Sequence, residues 1–231
     1  MNRLIVIVGP TASGKTDFSI WLAKEIRTEI ISADSLQVYK EFNICTSKPT
    51  VEQLEQVDHH LVGHVPICDE YSVVRFVKEA RSLIKRISSE GKIPIIVGGT
   101  GLYIDALLNN FQFQQDCCEN FSENIPNEDL YDTLRSLDPL AAKSIHRNDF
   151  KRLRRAINFF KTFNFSILDQ KSNTMDAKKE FQVLKFGLNF RDRNLLYERI
   201  NRRVDNMLER GLIEEIDRVR KKKFQKQLLP L

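Results

Sequence analysis

Two kinds of hydrophobic pattern alternate along this chain. Short unbroken apolar runs are followed by stretches in which apolar positions recur every three or four residues. Leu4-Ile5-Val6-Ile7-Val8 is the first run and reads as a buried strand; Phe18, Ile20, Leu22, Ala23 and Ile26 follow at helical spacing. Glu29 to Ala33 reads as a second strand. Tyr71 to Glu90 is the clearest amphipathic helix. Val73, Val74, Val77, Ala80, Leu83, Ile84 and Ile87 make its apolar face, Lys78, Arg81, Lys85 and Arg86 lie largely opposite, and Gly91 stops it. Ile93 to Val97 is apolar on both faces, as a central parallel strand must be, and precedes a helix around Leu102–Leu108.

The rest of the chain is less regular. Residues 43–70, with Pro49, Gly63 and Pro66, read as a long loop region. Residues 110–147 are polar and carry Pro126 and Pro139; Leu130, Leu134 and Leu137 suggest one short helix there, in an insertion off the main sheet. A basic helix starts near Asn148, with Asn148 or Asp149 as its cap. Phe181 to Phe190 is a further strand candidate. Leu195 to Arg210 reads as a helix with Leu196, Ile200, Val204, Met207 and Leu208 inward and Arg199, Arg202, Arg203 and Arg210 elsewhere; Leu212 to Arg220 forms a last one. The fold class this predicts is α/β, a P-loop NTPase-like, mainly parallel sheet flanked by helices. Residues 1–109 and 148–231 form its core, and 110–147 a small helical insertion.

Composition bounds the function without choosing it. The chain has 231 residues, 42% hydrophobic and 29% charged, which fits a soluble globular protein. No apolar run is long enough to span a bilayer, and no signal peptide is expected ahead of the first strand. The four cysteines, Cys45, Cys68, Cys117 and Cys118, show no CxxC pair, so reduced thiols and a cytoplasmic location are expected. The net charge of +5 hides an asymmetry. Residues 1–141 hold 13 Lys and Arg against 20 Asp and Glu, whereas residues 142–231 hold 23 against 11. A basic half suits a polyanionic partner, and equally suits solvated helix faces.

The chemistry concentrates at strand ends. Gly9-Pro10-Thr11-Ala12-Ser13-Gly14-Lys15-Thr16 lies between a strand and a helix, the context of a phosphate-binding P-loop. Its backbone N–H groups and helix N-terminus attract an anion, Lys15 adds a full charge, and the Thr16 hydroxyl suits Mg²⁺. Asp34 follows the second strand, on the rim where open α/β sheets bind ligands; a turn-capping role is equally open to it. The third strand ends in Gly98-Gly99-Thr100-Gly101 with no aspartate, which disfavours a motor-type ATPase. His60 and His64 have metal-ligand spacing, but Val62-Gly63 between them is poor helix, so packed or hydrogen-bonded histidines are expected. Arg152 and Arg155 share a helix face that either meets phosphates or is simply solvated.

Taken in order, these residues resemble the bacterial tRNA dimethylallyltransferase (tRNA isopentenyltransferase) family. The series is Gly9–Thr16, Ile31-Ser32-Ala33-Asp34-Ser35 with Gln37 and Tyr39, Thr46-Ser47-Lys48-Pro49 and His59-His60-Leu61. It continues through Val97 to Tyr103, Asn148-Asp149 leading into Arg152 to Ala156, and Tyr197 to Asp205. The family pattern usually runs on past Leu231, and this sequence has Lys151 and Asn158 where Gln and Glu are usual.

The resemblance implies transfer of a dimethylallyl group from dimethylallyl diphosphate to N6 of the adenosine 3′ of the tRNA anticodon, with release of diphosphate. It implies that Gly9, Pro10, Thr11, Ala12, Ser13, Gly14, Lys15 and Thr16 grip the diphosphate with Mg²⁺, although such a loop is commonly called ATP-binding. Asp34, Lys15, Thr16 and Thr100 are the implied catalytic residues. Asp34, Ser35, Leu36, Gln37, Thr100, Lys151, Arg152, Leu153, Arg154 and Arg155 are the implied tRNA-side residues, and the 110–147 insertion is implied to contact the anticodon stem. A monomer is expected. The competing readings are an adenylate isopentenyltransferase, a P-loop kinase, and a truncated RNA-binding remnant without activity.

Overall fold

The computed structural model describes residues 2–109, 121–168 and 180–221. Contacts group the chain into two units, residues 1–108 with 180–231, and residues 109–179. Cys117, Cys118 and most of the lysine-rich end, residues 222–231, lie outside the described residues.

The first unit is built on five parallel strands. They are β1 (Asn2–Val8), β2 (Ile30–Ser32), β3 (His59–His60), β4 (Ile95–Val97) and β5 (Phe181–Gly187), in the order β3-β2-β4-β1-β5. The expected mainly parallel sheet is therefore present. Ile5, Val6 and Ile7 of β1 stand opposite Ile95, Ile96 and Val97 of β4, while all of β1 pairs with β5 from Asn2↔Phe181 to Val8↔Gly187. β-branched residues covered on both faces suit such a ladder. Leu4, Val6, Ile7, Ile30, Ile31, Ile95 and Ile96 are almost completely buried.

Helices flank these strands. α1 (Lys15–Glu25) adds Ile20 and Ala23 to the core formed by Ile5, Ile7, Ile30 and Ile95. α3 (Val73–Ser89), capped by the Ser72 side chain, buries Phe76, Val77, Ala80, Ile84 and Ile87; Val74 at its start is exposed. α4 is Gly101–Leu108.

Two elements lie within the region read as loop. α2 (Val51–Leu54) is one turn held by a capping box between Thr50 and Gln53. β3 pairs His59 with Ile30 and His60 with Ile31. Two histidines offer no hydrophobic period, so an edge strand this short leaves no pattern in sequence.

α8 (Arg193–Glu209) also departs from expectation. None of its residues is buried; Leu196, Ile200, Arg203 and Met207 form its half-buried stripe, while Val204 and Leu208 are exposed. Arg203 thus lies on the covered side and two expected core residues do not. α9 (Leu212–Lys221) follows Gly211.

In the second unit, α5 (Leu130–Leu137), α6 (Pro139–Ser144) and α7 (Phe150–Phe163) share a core of Leu130, Leu134, Ala141, Ala142, Leu153, Ala156 and Ile157. Asp138 and Asp149 cap α6 and α7 through the backbone amides of Ala141 and Arg152. The basic helix α7 groups with this unit, which runs to residue 179 where the sequence suggested an insertion ending at 147.

Candidate active site

A cleft of about 550 Å³ opens over the C-terminal ends of the strands of the first unit. The loop after β1 contributes Gly9 to Thr16, the turn after β2 contributes Asp34 to Gln37, and the end of β4 contributes Gly98, Gly99 and Thr100. Ser47, Pro49, His59 and Val62 add a further wall, and Arg199 and Arg203 of α8 complete it.

The β1 loop is shaped as an anion cradle. Gly14 caps α1 in the left-handed region (φ 86°), which glycine reaches at no steric cost. Among the described residues no side chain caps α1, so its first amides can meet an anion. Ala12 is also left-handed, at φ 60°. That strained geometry is anchored by Arg199, whose Nε donates to the Ala12 carbonyl at 3.0 Å. Arg203 Nη1 donates to Thr11 Oγ1 at 2.9 Å. Lys15 Nζ donates to the carbonyls of Gly9 (2.9 Å) and Pro10 (2.7 Å), leaving one of its three N–H donors for an anion. Ser13 Oγ is buried without a hydrogen-bond partner among the described residues, and an oxyanion would supply one.

Charge within the cleft is concentrated. Burial, followed by the charge of Arg203, lowers the pKa of Lys15, while Asp34 raises it. Burial likewise lowers the pKa of Arg203 against the opposing pull of Asp34. Two half-buried cations therefore face one carboxylate, an arrangement suited to a polyanion leaving while a proton is accepted.

Asp34 caps its turn and also lies on the wall of the cleft. Its Oδ1 caps the turn, accepting from the backbone N–H of Leu36 (2.9 Å) and Gln37 (3.2 Å). The same residue lines the cleft. A carboxylate oriented through one oxygen presents the other in a fixed direction.

Thr100 Oγ1 accepts from the Ser35 amide at 3.1 Å and donates to Ser35 Oγ at 3.4 Å, tying the end of β4 to the Asp34 turn. Gly98 makes that tie short. A Cβ there would lie 2.2 Å from the Ala33 carbonyl oxygen, so only glycine fits. Gln37 donates from Nε2 to the carbonyls of Thr46 and Ser47, each at 3.2 Å, and accepts from Ser32 Oγ at 3.3 Å.

The histidines are engaged in hydrogen bonds. His60 Nε2 meets Glu29 at 2.7 Å and His64 Nε2 meets Glu79 at 3.2 Å. Among the described residues no three His, Cys, Asp or Glu side chains form a metal-binding group. His59 Nδ1 donates to the Val57 carbonyl at 2.7 Å, and burial holds the ring's pKa down. The ring therefore presents an unprotonated Nε2.

The other sequence-selected residues sit in the second unit, on α7. Leu153 is fully buried, so its side chain serves the core. Arg154 donates to the carbonyls of Ser122 and Ile125 and to Asn127 Oδ1, a structural task. Lys151, Arg152 and Arg155 are exposed, with Arg152 paired to Asp149 at 3.3 Å. Sequence reasoning assigned no site role to Arg199 and Arg203, although their i,i+4 spacing within Tyr197–Asp205 puts two guanidiniums on one helix face.

Comparison with known proteins gives this geometry a context. The family model described as IPP transferase matches residues 37–231. A tRNA dimethylallyltransferase from Thermoanaerobacter sp. (strain X514) is 43% identical over 223 residues, covering 93% of this chain and 71% of the relative. One from Enterococcus faecalis is 44% identical over 225 residues, covering 93% and 72%. Among solved structures, a tRNA delta(2)-isopentenylpyrophosphate transferase from Staphylococcus epidermidis is 39% identical with a TM-score of 0.68, covering 99% of this chain and 76% of that one. A eukaryotic dimethylallyltransferase solved acting on tRNA is 32% identical with a TM-score of 0.85, covering all of this chain and 58% of its own.

Proposed function

The chain belongs to the IPP transferase family, and on that premise we propose that the cleft transfers a dimethylallyl group from dimethylallyl diphosphate to N6 of the adenosine 3′ of a tRNA anticodon. The enzyme class is tRNA dimethylallyltransferase, a prenyl transfer that modifies tRNA. The observation that carries the finer reading is the pairing, in one cleft, of a P-loop with a turn-oriented carboxylate. A kinase reading explains only the loop. Adenylate prenyl transfer and an inactive RNA-binding remnant draw no support from the relatives.

In this reading the N6 amine attacks the first carbon of the prenyl group as that carbon's bond to the diphosphate oxygen breaks. The bonding pair leaves with the diphosphate, and the N6 proton passes to the free oxygen of Asp34. The α1 N-terminus, Lys15, Ser13 and Arg203 take up the charge growing on the leaving group. Arg199 and Arg203 hold the loop's shape, and Thr100 holds the turn that aims Asp34. The target base leaves its stack to enter the cleft, with Ser35, Leu36 and Gln37 beside it. Exposed Lys151, Arg152 and Arg155, and the surrounding second unit, are assigned to the RNA backbone.

The donor set also fits Mg²⁺. The Thr16 hydroxyl and the oxygens of a diphosphate are hard ligands, and a cation bound mainly through phosphates needs no cage of carboxylates. Thr16 would hold it, and its contribution is to neutralise diphosphate charge.

The test is a single-turnover reaction with Mg²⁺, labelled dimethylallyl diphosphate and an unmodified tRNA transcript. Label on the adenosine 3′ of the anticodon is expected. Label that prefers free AMP over tRNA, or transfer indifferent to Asp34→Ala, would overturn the acceptor or the base respectively.

A further inference from the structure

Glu215 of α9 is buried and lies outside the cleft, yet its carboxylate is fully engaged with the loop that walls it. Oε2 accepts from the Asn43 amide at 2.8 Å and Oε1 from the Cys45 amide at 3.0 Å. The Ile44 amide reaches both oxygens, at 3.0 and 2.9 Å. Three consecutive amides turned to one point form an anion-binding concavity, and here a side chain some 170 residues away in sequence fills it. Burial opposes the charge, but those amides hold the carboxyl below its ordinary range. The neighbouring Cys45 thiol is pushed up to about 12 by burial and by Glu215.

The anchored loop leads directly to the site. After Cys45 come Thr46 and Ser47, whose carbonyls hold the Gln37 amide. Ser47 itself lines the cleft in a left-handed conformation (φ 46°), which a non-glycine residue keeps only when its surroundings impose it. Gln37 in turn donates its backbone N–H to Asp34 Oδ1. Hydrogen bonds joined by the 45–47 backbone and by the Gln37 residue thus link the carboxylate of Glu215 to that of Asp34.

From this geometry we infer that Glu215 is a positioning residue for the acceptor side of the cleft. It fixes the 43–47 loop, and through Gln37 the direction of Asp34, without touching the phosphate loop. Its role presupposes the transfer reaction proposed above. The prediction is a split between chemistry and phosphate binding. Glu215→Gln keeps the size of the side chain, but its amide NH₂ cannot accept, so at least one amide of 43–45 loses its partner. Single-turnover transfer to tRNA is expected to fall between about 10- and 100-fold, the range for a misplaced reacting group. Affinity for inorganic diphosphate, measured by calorimetry, is expected to stay within about twofold, because among the described residues no hydrogen bond joins Gly9 to Thr16 to this series and the Asp34 charge that acts on Lys15 is retained.

Amide exchange of residues 34–47, measured on the same 231-residue samples, separates the two layers of the claim. Faster exchange there, slower transfer and unchanged diphosphate binding support it. Unchanged transfer despite faster exchange overturns it. So does a parallel loss of transfer, diphosphate binding and thermal stability, since that describes a residue serving the fold alone. A wild-type protein that does not prenylate tRNA refutes the proposed reaction instead. The tether is then judged by exchange at residues 34–37, where acceleration in Glu215→Gln sustains it and no change removes it. Glu215→Ala gives the same pattern more strongly where it folds, and Glu215→Gln decides where it does not.

Discussion

Replacing Gly98 by alanine isolates how closely the site depends on one backbone contact. The added Cβ would lie 2.2 Å from the Ala33 carbonyl oxygen, 2.5 Å from its carbon and 2.9 Å from the Ala33 Cα. All three are backbone atoms of the neighbouring strand's end, so no rotamer change relieves the clash. Ordinary van der Waals contact requires the two chains to part by about an ångström. That parting breaks the bonds that fasten β2 to β4 at the cleft, Ala33 N to Val97 O (2.7 Å) and Thr100 N to Ala33 O (3.3 Å). Two lost backbone hydrogen bonds cost about 2 kcal/mol and overpacking adds about 1–3, so a total of about 3–5 kcal/mol is expected. Urea denaturation followed by circular dichroism measures this. The neighbouring Gly99→Ala is the control, because its Cβ meets nothing within 4 Å and stability should move by less than about 0.5 kcal/mol. A Gly98→Ala protein as stable as Gly99→Ala would refute the reasoning. Any activity it retains should fall too, since Asp34 and Thr100 flank the displaced segment.

Asp34→Asn should slow single-turnover transfer about 10²- to 10⁴-fold while leaving diphosphate affinity nearly unchanged, and equal losses in both would argue against a base. Arg203→Ala should weaken binding of the prenyl donor and slow transfer together, because it removes a half-buried cation and the clamp on Thr11; donor titration of the transfer rate separates the two effects. At the opposite end of the sheet, burial pushes the Glu29 carboxyl up, but hydrogen bonds from Arg86, His60 and Lys92 prevail and hold it at about 2. A depressed carboxyl contributes stability that is complete above the unfolded value near 4.5 and is lost as pH falls toward 2. Glu29→Gln should therefore flatten the acid limb of the stability profile; solvent screening through the exposed Arg86 and Lys92 side chains limits the change to about 1–2 kcal/mol, as read from urea midpoints between pH 2 and 6.

How much could be read from the chain alone follows from where each feature stores its information. β1 and β4 are unbroken β-branched runs, and the P-loop is a local string between a strand and a helix. Such features need only neighbours in sequence to be legible. β3 is two histidines on an edge, and its existence depends on β2 lying beside it. α2 is four residues fixed by one capping box. Neither leaves a hydrophobic period. Asp34 shows the intermediate case: its place after a strand marked it, and the structure puts one of its oxygens on the turn and the residue itself on the cleft.

The arginines of α8 are harder, and the reason is instructive. Helix reading assigns inward positions to apolar residues and outward ones to charges, so it paired Val204 and Leu208 with the core and set Arg203 aside. The covered stripe is Leu196, Ile200, Arg203 and Met207, spaced by four, three and four residues. That is the regular inward period of a helix, with a guanidinium at one of its positions. Burying half of an arginine in place of an available valine costs solvation, and the cost is offset only where the charge has a partner to meet. Thr11 and the field of Asp34 are those partners within the protein. With Arg199 the lining holds three cations, Lys15, Arg199 and Arg203, against two carboxylates, Asp17 and Asp34, so the cleft keeps positive charge to spare for the negative charge that would grow on a departing diphosphate. An out-of-place charge on an otherwise regular inward stripe is thus itself a sequence-level pointer to a ligand, provided that the helix is first aligned by its period and not by its hydrophobic residues alone.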